Sequence, residues 1–461
     1  MRRALLTAFL FATLATSAHA DPQTAATLRD KALTDPTAYD LLESLTTEIG
    51  PRPVGSPAAM AARDWGIAKL KALGFKNVHA EEFAKPSWHR DDESAEITAP
   101  HAQKLAILGL GRSISTPPEG IEAEVVVLKS LGELMAAPPD AFKGKIVVVN
   151  QPMARTQTGL GYGVAVQARS AASEAAKRGA VAYLTRSIAT GTGRAPHTGS
   201  TRYRDPNFQI PAAALGVPDA DLLARLAARG PVRMHLKLLN HTDADSKAWN
   251  VSGEITGSEA PNEVIVIGGH MDSWDPGTGA IDDGAGVAIT TAAAKLIGDL
   301  KKHPPRTIRV VMWGSEEQDG SEKAYYDAHK DELANIVAAS ESDFGADNVY
   351  SIQLPTNTLT DPQLSPLVYL LAPLHVATSP EPSKQGGSDI SGLQVAGVPV
   401  FTINQDGSRY FDYHHSADDT LAIVDPVQLN QNVATWATML YMIANSDVDF
   451  RKGAAPPSTP K

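Results

Sequence analysis

The sequence predicts an α/β fold, a mostly parallel sheet with helices on both faces, interrupted by an inserted β-rich domain. Three observations point there. Short β-branched runs alternate with helical patterns from Ala248 onward, and loops rich in acids and histidine follow those runs. Between about 100 and 245 the texture changes to β segments and alanine-rich stretches without such loops. The chain has 461 residues, a formal charge of -11, 43% hydrophobic residues and no cysteine. That length exceeds one ordinary core, so at least two domains are expected. The acidic balance argues against a general nucleic-acid binder.

Arg2 and Arg3 open a leader with an apolar run from Ala4 to Ala15 and a small-x-small cleavage site at Ala18-His19-Ala20. Export to a periplasm or out of the cell is expected, and the lack of cysteine excludes lipoprotein attachment and disulfides. The expected division is a signal peptide at 1–20, the opening of the α/β domain at 21–100, the insert at 101–245, the main α/β domain at 246–450 and a disordered tail at 451–461.

In order along the chain, a helical pattern runs from Pro22 to the break at Gly50-Pro51-Arg52-Pro53. Ser56-Pro57 caps a helix that stops at Gly74, and a strand follows near 78–83. Within the insert, 122–129, 145–150, 181–185 and 232–238 read as strands, 164–178 as one alanine-rich helix and 219–228 as another. Strand 264–267 comes next, then a helix with Ile289, Ala293, Leu296, Ile297 and Leu300 on one face. Strand 307–313, a helix near 322–333, strand 336–340, a helix near 364–377, strand 398–403 and a last helix at 426–444 complete the pattern.

Four of these strands deliver chemistry at their C-terminal ends. Strand 264–267 passes through Gly268-Gly269 into a loop with His270, Asp272, Asp275, Asp282 and Asp283. Strand 307–313 runs into Glu316 and Glu317, 336–340 into Glu341 and Asp343, and the region after 398–403 into His414 and His415. Parallel strands would bring these loops to one sheet edge, where open α/β sheets carry their sites. Mixed nitrogen and oxygen ligands suit zinc, and a bridging carboxylate suits two ions about 3.5–4 Å apart. A nearby carboxylate that is not a ligand would then take the proton of an attacking water. Singly, each residue has a plainer role: His-x-Asp is commonly a surface pair, Glu316-Glu317 a solvated helix start, Asp343 an N-cap and Asp282-Asp283-Gly284 a turn. Their joint occurrence at four successive strand ends favours a metal centre.

The motifs HMDSWDPGTGAIDDGAG at 270–286, WGSEEQ at 313–318, ESDFG at 341–345 and YHHSADDT at 413–420 resemble the M28 family of metallopeptidases, within it the branch that includes carboxypeptidase Q. LTTEIGPRPVGS at 45–56 extends the resemblance over nearly the whole mature chain. It implies the zinc aminopeptidase (phosphorylase/hydrolase-like) fold, with residues 246–450 as the catalytic part. It further implies two zinc ions per chain, other divalent metals being alternatives, bridged by Asp282. His270 and Asp343 would complete one ion, and Glu317 and His415 the other. A metal-bridged hydroxide would attack the peptide carbonyl with Glu316 as general base. Asp272 would orient His270, and the Asp282-Asp283 peptide would be cis.

His414 beside His415, and Asp283 beside Asp282, stand as alternative ligands. His414, Asp419, Trp274, Tyr410 and Tyr413 are expected to border the pocket, the aromatics alternatively packing in the core. GKIVVVNQ at 144–151 and RAPHTGS at 194–200 resemble the protease-associated insert of this branch, in which His197 faces either the pocket or the surface. The implied activity is that of an exported di-zinc exopeptidase on dipeptides or short peptides, as aminopeptidase, carboxypeptidase or dipeptidase. The expected partner is a small peptide substrate, with no nucleic acid, no membrane anchor after leader removal, and a homodimer left open. The rivals are a non-catalytic binding protein and a single-zinc glutaminyl cyclase.

Overall fold

In a computed structural model that describes residues 20–355 and 358–452, the opening helices form where the sequence caps them. The Asp21 side chain accepts the Gln23 and Thr24 amides at the head of α1 (Pro22–Ala32). After α2 (Thr37–Ser44), the Ser56 hydroxyl accepts the Ala59 amide at the head of α3 (Pro57–Ala72), with proline in the first turn of both capped helices. The expected leader up to His19 and the tail beyond Lys452 lie outside the described residues. Among the described residues no helix is long and apolar enough to cross a membrane.

Strand β1 (Lys76–Ala84) belongs to one sheet and β2 (Ser87–Ala99) to another. The second sheet continues through β3 (Gln103–Leu105), β4 (Ile107–Gly109), β5 (Ile121–Leu128), β6 (Ile146–Val149), β7 (Ala182–Arg186), β8 (Ala212–Leu215) and β9 (Arg233–Asp243). Its order is β3-β2-β9-β5-β6-β7-β8-β4, and the run from β5 to β8 is parallel. Helices α4 (Leu131–Ala136), α5 (Leu160–Ala165), α6 (Ala172–Ala176) and α7 (Val217–Ala227) accompany it. Alternation along β6 serves both faces: Ile146 and Val148 pack with Leu223 of α7, while Val147 and Val149 pack with Leu134 and Ala175. The boundary expected near residue 100 falls inside this sheet, which starts at Ser87. The charged run at 89–93 hides β2, because its outer face is ion-paired rather than apolar, as in Lys237–Asp92 at 2.6 Å.

The single helix expected at 164–178 is broken by a 3₁₀ turn at Val166–Ser170 between α5 and α6. Hydroxyls outcompete the helical ladder there: Tyr183 donates to the Ala168 carbonyl at 2.6 Å and Thr201 to that of Arg169 at 2.8 Å.

The first sheet adds β10 (Lys247–Ile255), β11 (Ala260–His270), β12 (Arg306–Trp313) and β13 (Ile336–Glu341), in the order β1-β10-β12-β11-β13. Only β12-β11-β13 is parallel, so the expectation of a mostly parallel sheet is corrected to a mixed one. The reason is a ribbon: β1 pairs antiparallel with β10, and across short breaks at 85–86 and 244–246 the same two chains continue as β2 paired with β9. One antiparallel ribbon thus joins the two sheets.

Helices cover both faces of the first sheet, as expected. Ile265, Ile267, Ile308 and Val310 face α8 (Ala285–Gly298), and Val264, Val266 and Val311 pack with Tyr325 of α9 (Ser321–His329). A small sheet of β14 (Val349–Gln353), β15 (Ala377–Thr378) and β16 (Thr402–Gln405) lies beyond, with α10 (Leu367–Leu371), α11 (Ser391–Val395) and α12 (Pro426–Ala444). The helix expected at 364–377 shrinks to α10 and a 3₁₀ turn containing Pro373. The strand expected at 398–403 touches β13 through one bridge, Ala339 to Val400, and then leaves to pair as β16 with β14. The fourth candidate loop, with His414 and His415, therefore does not come from a strand of the central sheet.

Candidate metal centre

The three parallel strands end together. His270 at the end of β11 is in register with Trp313 at the end of β12, and Gly268 with Glu341 at the end of β13. The loops that follow carry His270 to Asp283, Glu316 and Glu317, and Asp343. Gly269 has no side chain because the Asp283 carboxylate occupies that space, 2.4 Å from where a Cβ would sit. Asp283 accepts the His270 and Gly286 amides at 2.9 and 3.0 Å, so it faces backbone rather than the other candidate ligands. The Asp282-Asp283 peptide is cis.

Asp282 stands at the centre. Its Oδ1 lies 3.1 Å from His270 Nε2, and its Oδ2 lies 3.1 Å from His415 Nε2. His270 Nε2 is 3.6 Å from Asp343, and His415 Nε2 is 3.0 Å from Glu317. Two overlapping groups result, His270-Asp282-Asp343 and Asp282-His414-His415, each with ligand atoms within 4.8 Å of one another. His414 Nε2 is 3.5 Å from Asp282 and its ring stacks on His415 at 3.6 Å, while Glu317 is met by His415.

The donor set fits metal. Asp282 Oδ2 is buried and makes no hydrogen bond although His415 Nε2 is 3.1 Å away. A tetrahedral ion with bonds of about 2.0–2.2 Å holds its ligand atoms about 3.3–3.6 Å apart, close to the 3.0–3.6 Å seen. The charge balance agrees. Burial, with Asp282 nearby, pushes the Glu317 carboxyl to about 7, and burial, with Asp343 and Glu317 nearby, holds Glu316 well above the usual carboxylate range. Carboxylates crowded this way lack a counter-cation.

Supporting contacts differ in detail from the sequence reading. His270 Nδ1 lies 3.0 Å from the Asp272 backbone carbonyl and 3.6 Å from its carboxylate. That carboxylate instead accepts the Glu316 and Glu317 amides at 3.0 and 3.2 Å, fixing a base candidate and a ligand candidate on one loop. His197 is buried, its Nδ1 2.6 Å from the His414 carbonyl, and the Thr198 carbonyl faces His415 Nδ1 at 3.3 Å. The segment at 197–200, between β7 and β8, thus supports His415. Trp274 packs edge-on against His415, whereas Tyr410 packs with Phe344 and His414, and Tyr413 lies beside it.

The roles of two residues escaped the sequence reading. Arg52, fully buried, donates to the carbonyls of Met271, Thr278 and Gly279 and so clamps the loop before Asp282. Its place between two prolines marked a break but carried no sign of that task. Asp419, named only as a pocket border, accepts the Ala280 and Ile281 amides, both at 2.8 Å.

Comparison with known proteins settles the family. The model of peptidase family M28 matches residues 250–440. Carboxypeptidase Q of Mus musculus is 40% identical over 413 residues, 89% of this chain and 86% of that protein. The chain belongs to the M28 peptidase family. A crystal structure of a peptidase M28 precursor from Shewanella amazonensis SB2B is 42% identical, with a TM-score of 0.90 over 95% of this chain and 99% of that one. The aminopeptidase from Aneurinibacillus sp. strain AM-1, 19% identical with a TM-score of 0.63 over 95% of this chain and 100% of that one, shares the fold. This M28 chain is a hydrolase, a metallopeptidase related to carboxypeptidase Q.

Proposed function

We propose that this M28 peptidase is an exported di-zinc exopeptidase that hydrolyses dipeptides or short peptides. The observation that carries the reading is Asp282, whose two oxygens each face a different histidine at 3.1 Å. In this reading His270, Asp282 and Asp343 hold one ion, and Asp282, Glu317 and His415 hold the other. Bound zinc supplies Lewis acidity, which acidifies water and polarises the scissile carbonyl.

The chain's own residues do the rest. Glu316 takes the proton of the attacking water and returns it to the leaving amine. Asp272 fixes Glu316 and Glu317 through their amides. Residues 87–243, joined to the central sheet by one ribbon, act as the protease-associated unit that walls the site, supported by the His197 and Thr198 contacts. The leader motif at 1–20 supports export.

A panel of dipeptides with free or blocked termini, with and without chelator, tests the reading. Chelator-sensitive release of free amino acids is expected. No hydrolysis by metal-loaded protein would overturn it, and one metal with cyclisation of N-terminal glutamine would replace it by the cyclase.

A further inference from the structure

Arg169 carries a charge that meets the Tyr162 ring, 5.6 Å from its centre, but no carboxylate among the described residues. Its side chain is almost wholly buried, 4% exposed, and Nη1 donates to the Tyr162 hydroxyl at 2.9 Å. Nε and Nη2 have no partner, and among the described residues no carboxylate pairs with it. A buried guanidinium without a counter-charge is strongly unfavourable, like a buried ion pair that has lost one partner. The fold nonetheless holds it in place: the guanidinium lies against Gly199, where a Cβ would come within 2.4 Å of its central carbon. Any side chain at 199 would displace it. The Arg169 carbonyl is fixed as well, by the Thr201 hydroxyl at 2.8 Å.

The position of this cation is what gives it meaning. Arg169 lines a cavity of about 430 Å³ together with Glu316, Glu317 and His415. Other arginines on that wall are already engaged and exposed: Arg202 pairs with Asp319 at 3.0 Å, and Arg204 donates to Gln167 at 3.1 Å. On the Asp343 side lies a larger cavity of about 820 Å³, lined by Glu341 and by amides such as Gln353 and Asn404. The smaller cavity thus offers a planar, two-pronged donor matched to a carboxylate, and the larger one leaves room for the rest of a peptide.

We propose that Arg169 is the specificity-determining residue that binds the free C-terminal carboxylate of the substrate, so that the enzyme removes the C-terminal residue of dipeptides or short peptides. This deepens, and rests on, the exopeptidase reading of the same site. A carboxylate that meets Nε and Nη2, both covered in the unliganded chain, as the side chain turns toward the cavity would satisfy both unpartnered donors at once. A neutral C-terminal amide brings no charge and leaves a buried guanidinium unpaired, which is the arrangement in which recognition discriminates most strongly.

The test pairs kinetics with binding. For the metal-loaded wild type, kcat/KM for a dipeptide is expected to exceed that for its C-terminal amide by on the order of 100-fold or more. Arg169→Gln should lose most of that ratio by slowing the acid and sparing the amide, and Arg169→Lys, keeping charge without the fork, should fall between. Calorimetry with N-acetyl-leucine and its amide gives a readout independent of turnover: wild type binds the acid preferentially, and Arg169→Gln does not. Equal use of acid and amide by the wild type, or equal losses on both in two folded Arg169 variants, would overturn the role of Arg169 and leave the peptidase reading standing. Preferential binding of the acid that depends on Arg169, without any peptide hydrolysis, would uphold the carboxylate site and sink the peptidase reading.

Discussion

His270 ends a strand inside a sheet, whereas His415 sits in a loop at φ +61° and is held from outside by the segment between β7 and β8 of the other sheet. On the first side the ladder of β12-β11-β13 sets the backbone, and buried carboxylates bind the loop amides. On the second side a non-glycine residue occupies a left-handed conformation that costs on the order of 1–3 kcal/mol. His197 and Thr198 hold it there. One half of the centre is therefore built by the sheet and the other by contact between two sheets, and the second should be the easier to unseat.

As the proposed base, Glu316 would serve both halves, so its loss should be the largest effect and should not distinguish them. Glu316→Gln is expected to lower kcat by about 10²–10⁴-fold with metal content unchanged. Turnover near wild type at full metal content would put the base elsewhere. Arg52→Met strikes the sheet-built side, leaving the carbonyls of Met271, Thr278 and Gly279 without donors. A loss of about 3–5 kcal/mol in denaturant unfolding is expected. A loss below about 1 kcal/mol would show that the loop holds itself.

Acid should act first on the contact-built side. Burial pushes His197 down to about 4 from its ordinary 6.5, so the unfolded chain takes up a proton that the folded one refuses. Its contribution is complete above pH 6.5 and is lost as pH falls toward 4, by about 3 kcal/mol. Unfolding curves from pH 7 to 4 should flatten in His197→Asn, and an unaltered slope would assign the acid sensitivity elsewhere. The smallest effect is His197→Ala at neutral pH. The affinity of the His415-side ion should fall about 10–100-fold while the His270-side ion keeps its own. Equal weakening of both would erase the difference between the halves.

The sheet-built half was the legible one. Short β-branched runs ending in acids and histidine announce parallel strand ends, and 264–267, 307–313 and 336–340 all became strands whose ends meet. The last helix, with Asp425 capping and Pro426 in its first turn, matched its expected span of 426–444. The contact-built half was less legible because its determinants lie far apart in sequence. His197 and Thr198 meet His414 and His415 through a fold-level contact that no local periodicity records, and β2 and β10 are ribbon strands with polar faces. Arg169 was invisible for the same reason, since a helix pattern gives no sign of which carbonyls will be taken by Tyr183 and Thr201.

The most direct measurement is the zinc content per chain of the purified, zinc-loaded protein, taken alongside Asp282→Asn. Two ions per chain in the wild type, with both weakened by the single substitution, is the result expected of a centre that shares one aspartate. One ion per chain, or a variant that keeps both at full affinity, would contradict it.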